Sequence, residues 1–431
     1  MRVQVVGSGA REHALAWAIQ GHGDVELICA PGNGGTAQLA ENVAVAADDV
    51  AAQLRLATER SVDLVVIGPD AAVAAGLADA CAAAEVPVFG PTAAAGRIES
   101  SKAFAKELMD AAAIPTARWR EAGDVATAMG AVAELGGRCV VKADGLALGK
   151  GVAICDDAEQ ARTAVEASLV GGRFGAAGRR VVIEERLEGP EVSVFALSDG
   201  ERVRLLVPAC DYKRAHDGDH GPNTGGMGAV AQSSWGEAGA QQGWLDGIVQ
   251  PCIDALRERG TPYRGCLYAG LMLTAAGPRV LEFNARFGDP ETQVVLPLLA
   301  EDTLDLLLGC AHAALQPGRA ALRTGVTVGV VAASAGYPGR VETGAEITGV
   351  DSLDAGALCF HAGTRRDAGR LLSAGGRVLT VVGHSPDLAG ARRAAYANLD
   401  RISFDGMWSR RDIAESVPIW RSVSMGMEVR G

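Results

Sequence analysis

The chain has 431 residues, 48% of them hydrophobic and only 4% aromatic, and its formal net charge is −12. This length and composition predict two to four domains with buried cores, and the acidic charge argues against a nucleic-acid partner, which needs a basic surface. No apolar run reaches the length of a membrane span, and no secretory signal precedes the first predicted strand. The nine cysteines form no C-x-x-C pairs, so we expect reduced, buried thiols rather than a metal cluster, and a cytoplasmic location.

The first hundred residues alternate between short apolar strands and helices. The predicted strands are Val3–Val6, Val25–Ala30, Val62–Ile67 and Pro87–Phe89. A helix follows the first strand and runs to about Gln20, so the alternation predicts a doubly wound parallel sheet with ligands beyond the carboxyl ends of its strands. The Gly-x-Gly after the first strand is too short for a dinucleotide fingerprint. A helix N-terminus that carries Arg11 favours an anion, although on these residues alone a tight turn with a solvated arginine is the simpler interpretation.

A glycine-rich loop marks the next region. The predicted elements around it are helices at Lys102–Ala112 and Val125–Leu135 and an apolar strand at Val181–Glu185. Lys142 ends another apolar strand, and Gly145, Gly149 and Gly151 then permit close backbone approach to a ligand while Lys150 adds charge at the tip. A mobile glycine-rich lid of this kind covers phosphates in phosphoryl transfer. The spacing is not that of a Walker A loop, and a β-hairpin with a long turn is the alternative.

A polar segment follows between Asp211 and Gly228. Asp211, Lys213 and Arg214 lead into a long loop from His216 to Gly228 whose Pro-Asn-Thr-Gly-Gly core indicates a shaped backbone. A loop of this length is either functional or disordered. The three charged residues suit an amino group, a carboxylate and a phosphate, and the alternative is a salt-bridged surface turn.

Two oxygen-bearing side chains share one strand near residue 280. We predict an amphipathic helix over Gln242–Arg259 and a hairpin of strands Gly265–Leu273 and Arg279–Asn284. Glu282 and Asn284 lie two apart, so they point to the same face about 6.5–7 Å apart. Such a pair suits a Mg²⁺ that takes its other ligands from water and phosphates. Arg286 and Asp289 follow in a turn that is able to present them to a substrate. The alternative is a strand that ends in a polar turn.

The last third of the chain becomes rich in strands. A helix is predicted over Asp302–Leu315, and from Gly325 the predicted elements are strands Val326–Ala333, Val341–Glu342, Cys359–His361 and Val378–Val382 and a helix Leu388–Leu399. This pattern predicts a separate small α+β domain that closes over the site.

Several long motifs resemble one enzyme family. They are KADGLALGKG (Lys142–Gly151), IEERLEGPEVS (Ile183–Ser193), GPNTGGMGA (Gly221–Ala229), EFNARFGDPETQ (Glu282–Gln293), VVGSGAREHALAW (Val5–Trp17), APGNGGTA (Ala30–Ala37), HAGT (His361–Thr364), GGRVL (Gly375–Leu379) and RRDI (Arg410–Ile413). In this order they resemble the glycinamide ribonucleotide synthetases, which are phosphoribosylamine–glycine ligases of the ATP-grasp superfamily and belong to purine biosynthesis. The resemblance covers nearly the whole chain.

The resemblance implies an α/β and α+β multidomain fold. It divides the chain into an N-terminal Rossmann-like substrate domain (residues 1–101), an ATP-grasp domain (residues 102–320) with a lid at about residues 116–187, a C-terminal α+β domain (residues 321–420) and a tail (residues 421–431). It also implies a monomer that acts on small molecules.

The resemblance further assigns the site residues. ATP is expected at Lys102, Lys142, Gly145, Gly149, Gly151, Glu184, Glu185, Leu187 and Glu191, and Mg²⁺ or Mn²⁺ at Glu282 and Asn284. The substrates phosphoribosylamine and glycine are expected at Gly9, Ala10, Arg11, Glu12, Asn33, Asp70, Lys213, Arg214, Asn223, Gly225 and Asp289. Arg286, Lys150 and Asp211 are the expected catalytic residues.

The implied reaction passes through an acyl phosphate. The carboxylate of glycine attacks the γ-phosphorus of ATP, and the amine of phosphoribosylamine then displaces phosphate from the glycyl phosphate. Because no side chain acts as a nucleophile, positioning and charge stabilisation carry the rate. Arg286 is expected to bind the glycine carboxylate with both arms of its guanidinium, and Asp289 or Asp211 to take the amino group.

The sequence departs from the family pattern at several positions. They are Asp70, Ala72 and Val73 in the Gly68–Gly76 motif, and Ser100, Val230, Ala231, Gln232 and Ala285. If these positions face the acceptor, a sister ligase that uses another amine or amino acid is an alternative. A nucleotide-binding module without turnover is a third hypothesis, and its signature would be loss of Lys142, Glu282 or Asn284, all of which are present.

Overall fold

The structure is a computed structural model that describes residues 1–146, 151–236 and 238–417. Gly149 and Lys150 of the predicted phosphate loop, and the predicted tail at residues 421–431, lie outside the described residues. All nine cysteines are free thiols, and eight of them are buried. Within the described ranges, no helix combines the length and apolar character needed to cross a membrane.

The N-terminal sheet has five parallel strands. In chain order its elements are β1 (Arg2–Gly7), α1 (Ala10–Gln20), β2 (Glu26–Pro31), β3 (Glu41–Asn42), α2 (Val50–Glu59), β4 (Leu64–Ile67), α3 (Asp70–Ala74), α4 (Leu77–Ala83), β5 (Val88–Phe89) and α5 (Ala93–Ser100). The strand order is β3-β2-β1-β4-β5. Val3 and Val5 pack with α1 on one face, whereas Val6 packs with α2 and α4 on the other. Helices therefore cover both faces, which confirms the predicted doubly wound sheet.

A four-stranded antiparallel sheet follows helix α6 (Lys102–Ala111). Its elements are β6 (Trp119–Ala122), α7 (Val125–Glu134), β7 (Cys139–Ala143), β8 (Val152–Cys155), α8 (Ala158–Leu169) and β9 (Val181–Glu185), in the strand order β6-β9-β7-β8. The two helices and the sheet share a hydrophobic core of their own. Because β7 and β8 pair directly, the glycine-rich loop is the connection at the end of this hairpin.

The largest sheet has ten strands. Its region contains β10 (Glu191–Asp199), β11 (Val203–Leu205), β12 (Ala209–Asp211), β13 (Arg214–His216), β14 (His220–Asn223), β15 (Gly228–Gln232), α9 (Ala238–Trp244), α10 (Gln250–Glu258), β16 (Arg264–Thr274), β17 (Gly277–Asn284), α11 (Thr292–Val295), α12 (Thr303–Ala311), β18 (Gly318–Arg319), β19 (Val326–Ala333), β20 (Leu358–His361), β21 (Thr364–Asp367), β22 (Arg370–Ser373), β23 (Arg377–Ser385) and α13 (Leu388–Leu399). The main path is β17-β16-β10-β12-β15-β19-β23-β20, and β11 and β18 extend it. Strands β13 and β14, and β21 and β22, form separate hairpins.

The last strands continue the central sheet instead of forming a sheet of their own. β19 pairs with β15 over five residues, from Gly228–Val330 to Gln232–Val326. Every residue of β19 is buried, so this strand needs a hydrogen-bonded neighbour on each side, and β15 and β23 supply them. The predicted C-terminal region is therefore joined to the central one through backbone hydrogen bonds.

Three local predictions differ from the structure. The predicted helix Gln242–Arg259 is interrupted by a π-helical turn at Leu245–Val249. The predicted strand Val341–Glu342 is irregular, because Val341 is only half-buried and Glu342 is exposed, which leaves no face to pack. The predicted loop from residue 216 to 228 contains strand β14, which pairs with β13 just before the loop.

Two buried histidines join the N-terminal sheet to the last strands. The backbone N–H of His361 donates to Nδ1 of His13 over 2.8 Å, and the two rings lie 5.4 Å apart. Asn33 Nδ2 donates to the carbonyl of His361 over 2.7 Å. Burial lowers the pKa of His13 to about 3 and that of His361 to about 4. Both imidazoles are therefore neutral in the folded protein at neutral pH.

These histidines predict a loss of stability in mild acid. Their folded pKa values lie below the unfolded value, so the unfolded chain binds more protons once the pH falls below about 6.5. We expect the free energy of unfolding to fall by roughly 1 kcal/mol per histidine between pH 7 and pH 5.5. Urea unfolding at the two pH values measures this loss. NMR titration of the imidazole signals is the direct check, and normal titration of both rings near pH 6.5 would contradict the prediction.

Candidate active site

Two cavities meet in the middle of the molecule. The larger, of about 1370 Å³, lies between the four-stranded and ten-stranded sheets. The smaller, of about 500 Å³, extends towards Arg11 and Asp70 of the N-terminal sheet. Both are lined by Lys142, Glu282, Asn284, Arg286 and Asp289. Ligands in the two cavities would therefore touch across this shared wall.

The far end of the larger cavity is an apolar slot. It is lined by Val140, Val152 and Ile154 on one side and by Met272 and Leu281 on the other. Ile154 is 46% exposed, although it is a large apolar side chain on a strand. Apolar walls suit a flat heterocycle, and Glu184, Glu185 and Leu187 lie at the edge of this slot.

Lys142 belongs to a buried group of three charges below the slot. Its Nζ lies 2.9 Å from Oε1 of Glu184 and donates to the carbonyl of Leu281 over 2.9 Å. Lys106 Nζ lies 3.0 Å from the other carboxylate oxygen, Oε2. Both carboxylate oxygens of the buried Glu184 therefore face an ammonium group.

Lys102 lies beside the entry to the glycine-rich loop. It begins α6, whose N-terminus is capped by Ser101, and its Nζ donates to the carbonyl of Gly145 over 3.1 Å. Burial lowers the pKa of Lys102, although the charge of Glu282 opposes this shift. A Cβ at Gly145 would meet Ala177 at 2.5 Å, so only glycine lets the loop pass there. Gly145 and Gly151 line the smaller cavity.

Glu282 and Asn284 face the shared wall from β17, as predicted from their spacing. Burial alone would raise the pKa of Glu282, but Lys213, Lys142 and the nearby cations outweigh it and lower that pKa. Gly270 pairs opposite Glu282 and lines the same cavity, so no side chain projects from that position towards the carboxylate. Two hard oxygen donors next to open space fit a divalent cation such as Mg²⁺.

Arg286 is held by a residue that sequence reasoning missed. Its NH2 group lies 3.0 Å from Oε1 of Glu99 and donates to Oδ1 of Asn284 over 3.1 Å. Oε2 of Glu99 accepts from the backbone N–H of Ala285 over 2.8 Å. Burial raises the pKa of Glu99, and Arg286 opposes that shift. The only signal in the sequence was the position of Glu99 just before Lys102.

Asp289 is held by a second residue that was missed, Arg377. The NH2 group of Arg377 lies 3.1 Å from Oδ2 of Asp289, and its NH1 group donates to the carbonyl of Asp289 over 2.8 Å. Gln293 donates to the remaining oxygen, Oδ1, over 2.8 Å. Both carboxylate oxygens are therefore engaged. The motif that contains Arg377 was recognised, but nothing in it indicated this contact.

Lys213 lies among carboxylates on the opposite wall. Its Nζ is 2.6 Å from Oε2 of Glu191 and 3.6 Å from Oδ1 of Asp211. Burial opposes its charge, but Asp211 and Glu191 outweigh burial and raise the pKa of Lys213 well above its ordinary value. Burial raises the pKa of Asp211 to about 7. Arg214 donates to the carbonyl of Gly221 over 2.8 Å, which closes the β13–β14 hairpin.

The predicted residues of the N-terminal sheet divide into two groups. Arg11 and Asp70 line the smaller cavity, and Arg11 is fixed by Glu12, whose Oε1 lies 2.6 Å from its Nε. The others support the loops behind the cavity. Glu12 also accepts from the backbone N–H of Gly9 over 2.6 Å, which begins the helix at Ala10. Asn33 uses its side-chain amide to hold its own loop and His361.

The departures from the family pattern lie in different parts of the structure. Val230 and Ala231 are fully buried in β15, where they pack inside the largest sheet. Ala285 is also buried and contributes its backbone N–H to Glu99. Asp70 is the departure that lines the smaller cavity. Whether the departures follow the acceptor stays a prediction, because the site of the acceptor is itself only proposed.

Comparison with known proteins identifies close relatives along nearly the whole chain. Models of phosphoribosylglycinamide synthetase match it in three parts: the N domain at residues 1–99, the ATP-grasp (A) domain at residues 100–292 and the C domain at residues 327–416. A phosphoribosylamine–glycine ligase from Streptomyces coelicolor is 49% identical over 422 residues, which cover 96% of this chain and 99% of the relative.

Solved structures show the same architecture. The crystal structure of a phosphoribosylamine–glycine ligase from Thermotoga maritima aligns with a TM-score of 0.85 and 34% identity, covering 96% of this chain and 100% of that one. A biotin carboxylase–β,γ-ATP complex from Campylobacter jejuni aligns with a TM-score of 0.74 over 96% of this chain and 94% of that one. At 14% identity the second likeness concerns the fold alone. The predicted multidomain ATP-grasp fold is confirmed.

The contacts of Glu99 predict that it stabilises the protein. Glu99→Ala leaves the buried Arg286 without its carboxylate and the N–H of Ala285 without an acceptor, so we expect the free energy of unfolding to fall by roughly 3 kcal/mol. Urea denaturation measures the loss. Glu201→Ala is the matched control, because Glu201 is 71% exposed and 4.0 Å from Arg257, and it should have no measurable effect. Equal stability of both variants would refute the pairing.

Proposed function

We infer the roles of the site residues from the fact that the chain belongs to the phosphoribosylglycinamide synthetase family. It is an ATP-dependent ligase of purine biosynthesis that joins glycine to 5-phosphoribosylamine and releases glycinamide ribonucleotide, ADP and phosphate. A sister activity on another amine is not favoured. Neither is a module without turnover, because Lys142, Glu282 and Asn284 all line the shared wall of the cavities. The observation that supports the roles of the site residues is that these side chains line both cavities.

ATP is proposed to occupy the larger cavity. Its adenine would lie in the apolar slot, beside the chain segment from Glu185 to Leu187. Its phosphates would point to Lys102 and Lys142 under the glycine-rich loop, which contributes Gly145, Gly149, Lys150 and Gly151. Glu191 lies at the edge of the cavity. It would contact the ribose once Lys213 leaves it to bind a ligand.

Glu282 and Asn284 are the proposed holders of Mg²⁺ or Mn²⁺. Their oxygen donors, the lowered pKa of Glu282 and the space left by Gly270 support this assignment. When bound, the cation supplies positive charge to the phosphate oxygens. Arg286 donates to the oxygen of Asn284 and so orients the amide without using all its acceptor capacity.

Arg286 is the proposed anchor for the glycine carboxylate. It lies at the shared wall, and its position is set by Glu99. Asp211 is the better partner for the amino group, because both oxygens of Asp289 are engaged by Arg377 and Gln293. Asp289 would then have a structural role, since its contacts with Arg377 keep its own turn and the loop at Gly225 in place.

The reaction needs two displacements across the shared wall. A carboxylate oxygen of glycine attacks the γ-phosphorus, the bond to ADP breaks, and Lys102 and Lys142 stabilise the charge that moves to the leaving group. The amine of phosphoribosylamine then attacks the acyl carbon of glycyl phosphate, the C–O bond to phosphate breaks, and the nitrogen loses a proton. Exclusion of water from the acyl phosphate is the role that the family resemblance gives to the glycine-rich loop.

Phosphoribosylamine is proposed to enter through the smaller cavity. Arg11, Asp70, Asn223, Gly225 and Arg377 line this cavity. Asp70 is placed to accept from the amine, and the arginines to attract the phosphate. Gly9, Ala10, Glu12 and Asn33 support the Arg11 loop, and Lys213 and Arg214 extend the site on the glycine side.

The remaining predictions stay proposals. The division at residues 101 and 320, with a lid at residues 116–187, is supported by the three matched ranges and by the separate core of the four-stranded sheet. Because the ten-stranded sheet continues into the C-terminal region, that region is not a fully separate domain. We propose a monomer in the cytoplasm, because the family acts on small metabolites and the buried cysteines are free.

The first experiment measures ADP formation with Mg-ATP, glycine and phosphoribosylamine generated in situ, and identifies the product by mass. We expect the mass of glycinamide ribonucleotide, and no ADP when either co-substrate is omitted. Glu282→Gln is the matched inactive variant, since it keeps the shape but loses the charge that holds the cation. ADP formation only with another amine or acid would overturn the proposed substrates.

Replacement of Arg286 tests the glycine anchor. Arg286→Lys keeps the charge but loses the two-pronged contact, so we expect KM for glycine to rise at least about tenfold and kcat to fall. The KM for ATP should change less than about twofold. Steady-state ADP release under varied glycine measures both constants. A KM for glycine like that of the parent protein would remove Arg286 from the glycine site.

A further inference from the structure

Lys106 is buried in the site but has no part in the proposed reaction. It lies one turn after Lys102 on α6 and is only 2% exposed. Its Nζ donates to Oγ1 of Thr116 over 2.7 Å, and that hydroxyl donates to the carbonyl of Val280 over 2.6 Å. The ammonium is therefore held by Thr116 and Glu184, at the wall of the smaller cavity.

The charges around Lys106 do not cancel. Glu184 lies between two lysines, with Oε1 2.9 Å from Lys142 and Oε2 3.0 Å from Lys106. Two ammonium groups and one carboxylate leave a net charge of +1 in this buried group. Burial lowers the pKa of Lys106 to about 8, and Glu184 opposes that shift, so the carboxylate is what keeps this buried lysine charged.

We propose that Lys106 is a positioning residue that balances the charge of Glu184 and so leaves the charge of Lys142 available to the phosphates of the nucleotide. Without Lys106, Lys142 and Glu184 would form a neutral buried pair. The attraction within such a pair is strong where the dielectric constant is low, and it would hold the ammonium back from an anion. This proposal rests on the proposed phosphate contact of Lys142.

A purely structural role for Lys106 makes a different prediction. If the lysine only fills space, its loss should weaken binding of every nucleotide by a similar factor. If it balances charge, its loss should weaken phosphate binding and spare adenosine. The ratio of the dissociation constants of adenosine and Mg-ADP separates the two roles, because both ligands share the adenine slot.

The experiment compares the parent protein and four variants by calorimetric titration with Mg-ADP and with adenosine. Lys106→Met makes the group neutral, so we expect the Kd of Mg-ADP to rise about tenfold while that of adenosine changes less than about threefold. The double variant Lys106→Met/Glu184→Gln restores the net charge of the group to +1. It should therefore recover most of the change in the ratio of the Kd of Mg-ADP to that of adenosine. Glu184→Gln alone completes the cycle.

The outcomes of this cycle separate the possible failures. A parallel loss of Mg-ADP and adenosine binding, or a double variant as weak for Mg-ADP as Lys106→Met, would overturn the charge-balancing role. If Lys106→Met does not fold, the test uses Glu184→Gln and the double variant, for which the ratio of the Kd of Mg-ADP to that of adenosine is compared. Glu184→Gln should have the lower ratio. Equal ratios would refute the proposal. Lys142→Met is the reference. If it leaves Mg-ADP binding unchanged, the proposed phosphate role of Lys142 fails instead.

Discussion

Charge pairing inside the cleft is the constraint on which the site depends. A buried charge without a partner is costly, so each charged residue at the shared wall has an opposite charge close by. The pairs are Glu99–Arg286, Asp289–Arg377, Glu184–Lys142 and Glu191–Lys213. Glu99 joins the end of α5 to the loop after β17, and Lys142 reaches from the four-stranded sheet to the carbonyl of Leu281 in the largest sheet.

Local patterns in the sequence predicted the parts of the site that lie on one element. The alternation of a strand was enough to place Glu282 and Asn284 on one face, and the end of an apolar run was enough to place Lys142. The alternation of strands and helices predicted the N-terminal sheet for the same reason. In each case the residues that decide the outcome are neighbours in the chain.

Partners from distant parts of the chain were not predictable in this way. Glu99 meets Arg286 across more than 180 residues, and Arg377 meets Asp289 through the loop that follows β17. No spacing rule links such positions, because only the packing of complete sheets brings them together. Lys106 illustrates the same limit, since a lysine on a helix is usually solvated. The pairing of β15 with β19 was missed because a strand buried on both faces gives no sign of its neighbour.

The ten-stranded sheet has a consequence for recombination of this protein. A cut between β15 and β19 would break backbone hydrogen bonds along five residue pairs and open an edge that carries the buried Val230. Exposed apolar edges of this kind pair with other chains and aggregate. The residues after 325 are therefore not a transferable module, and a chimera that exchanges them with a relative needs matched side chains on both strands of that seam.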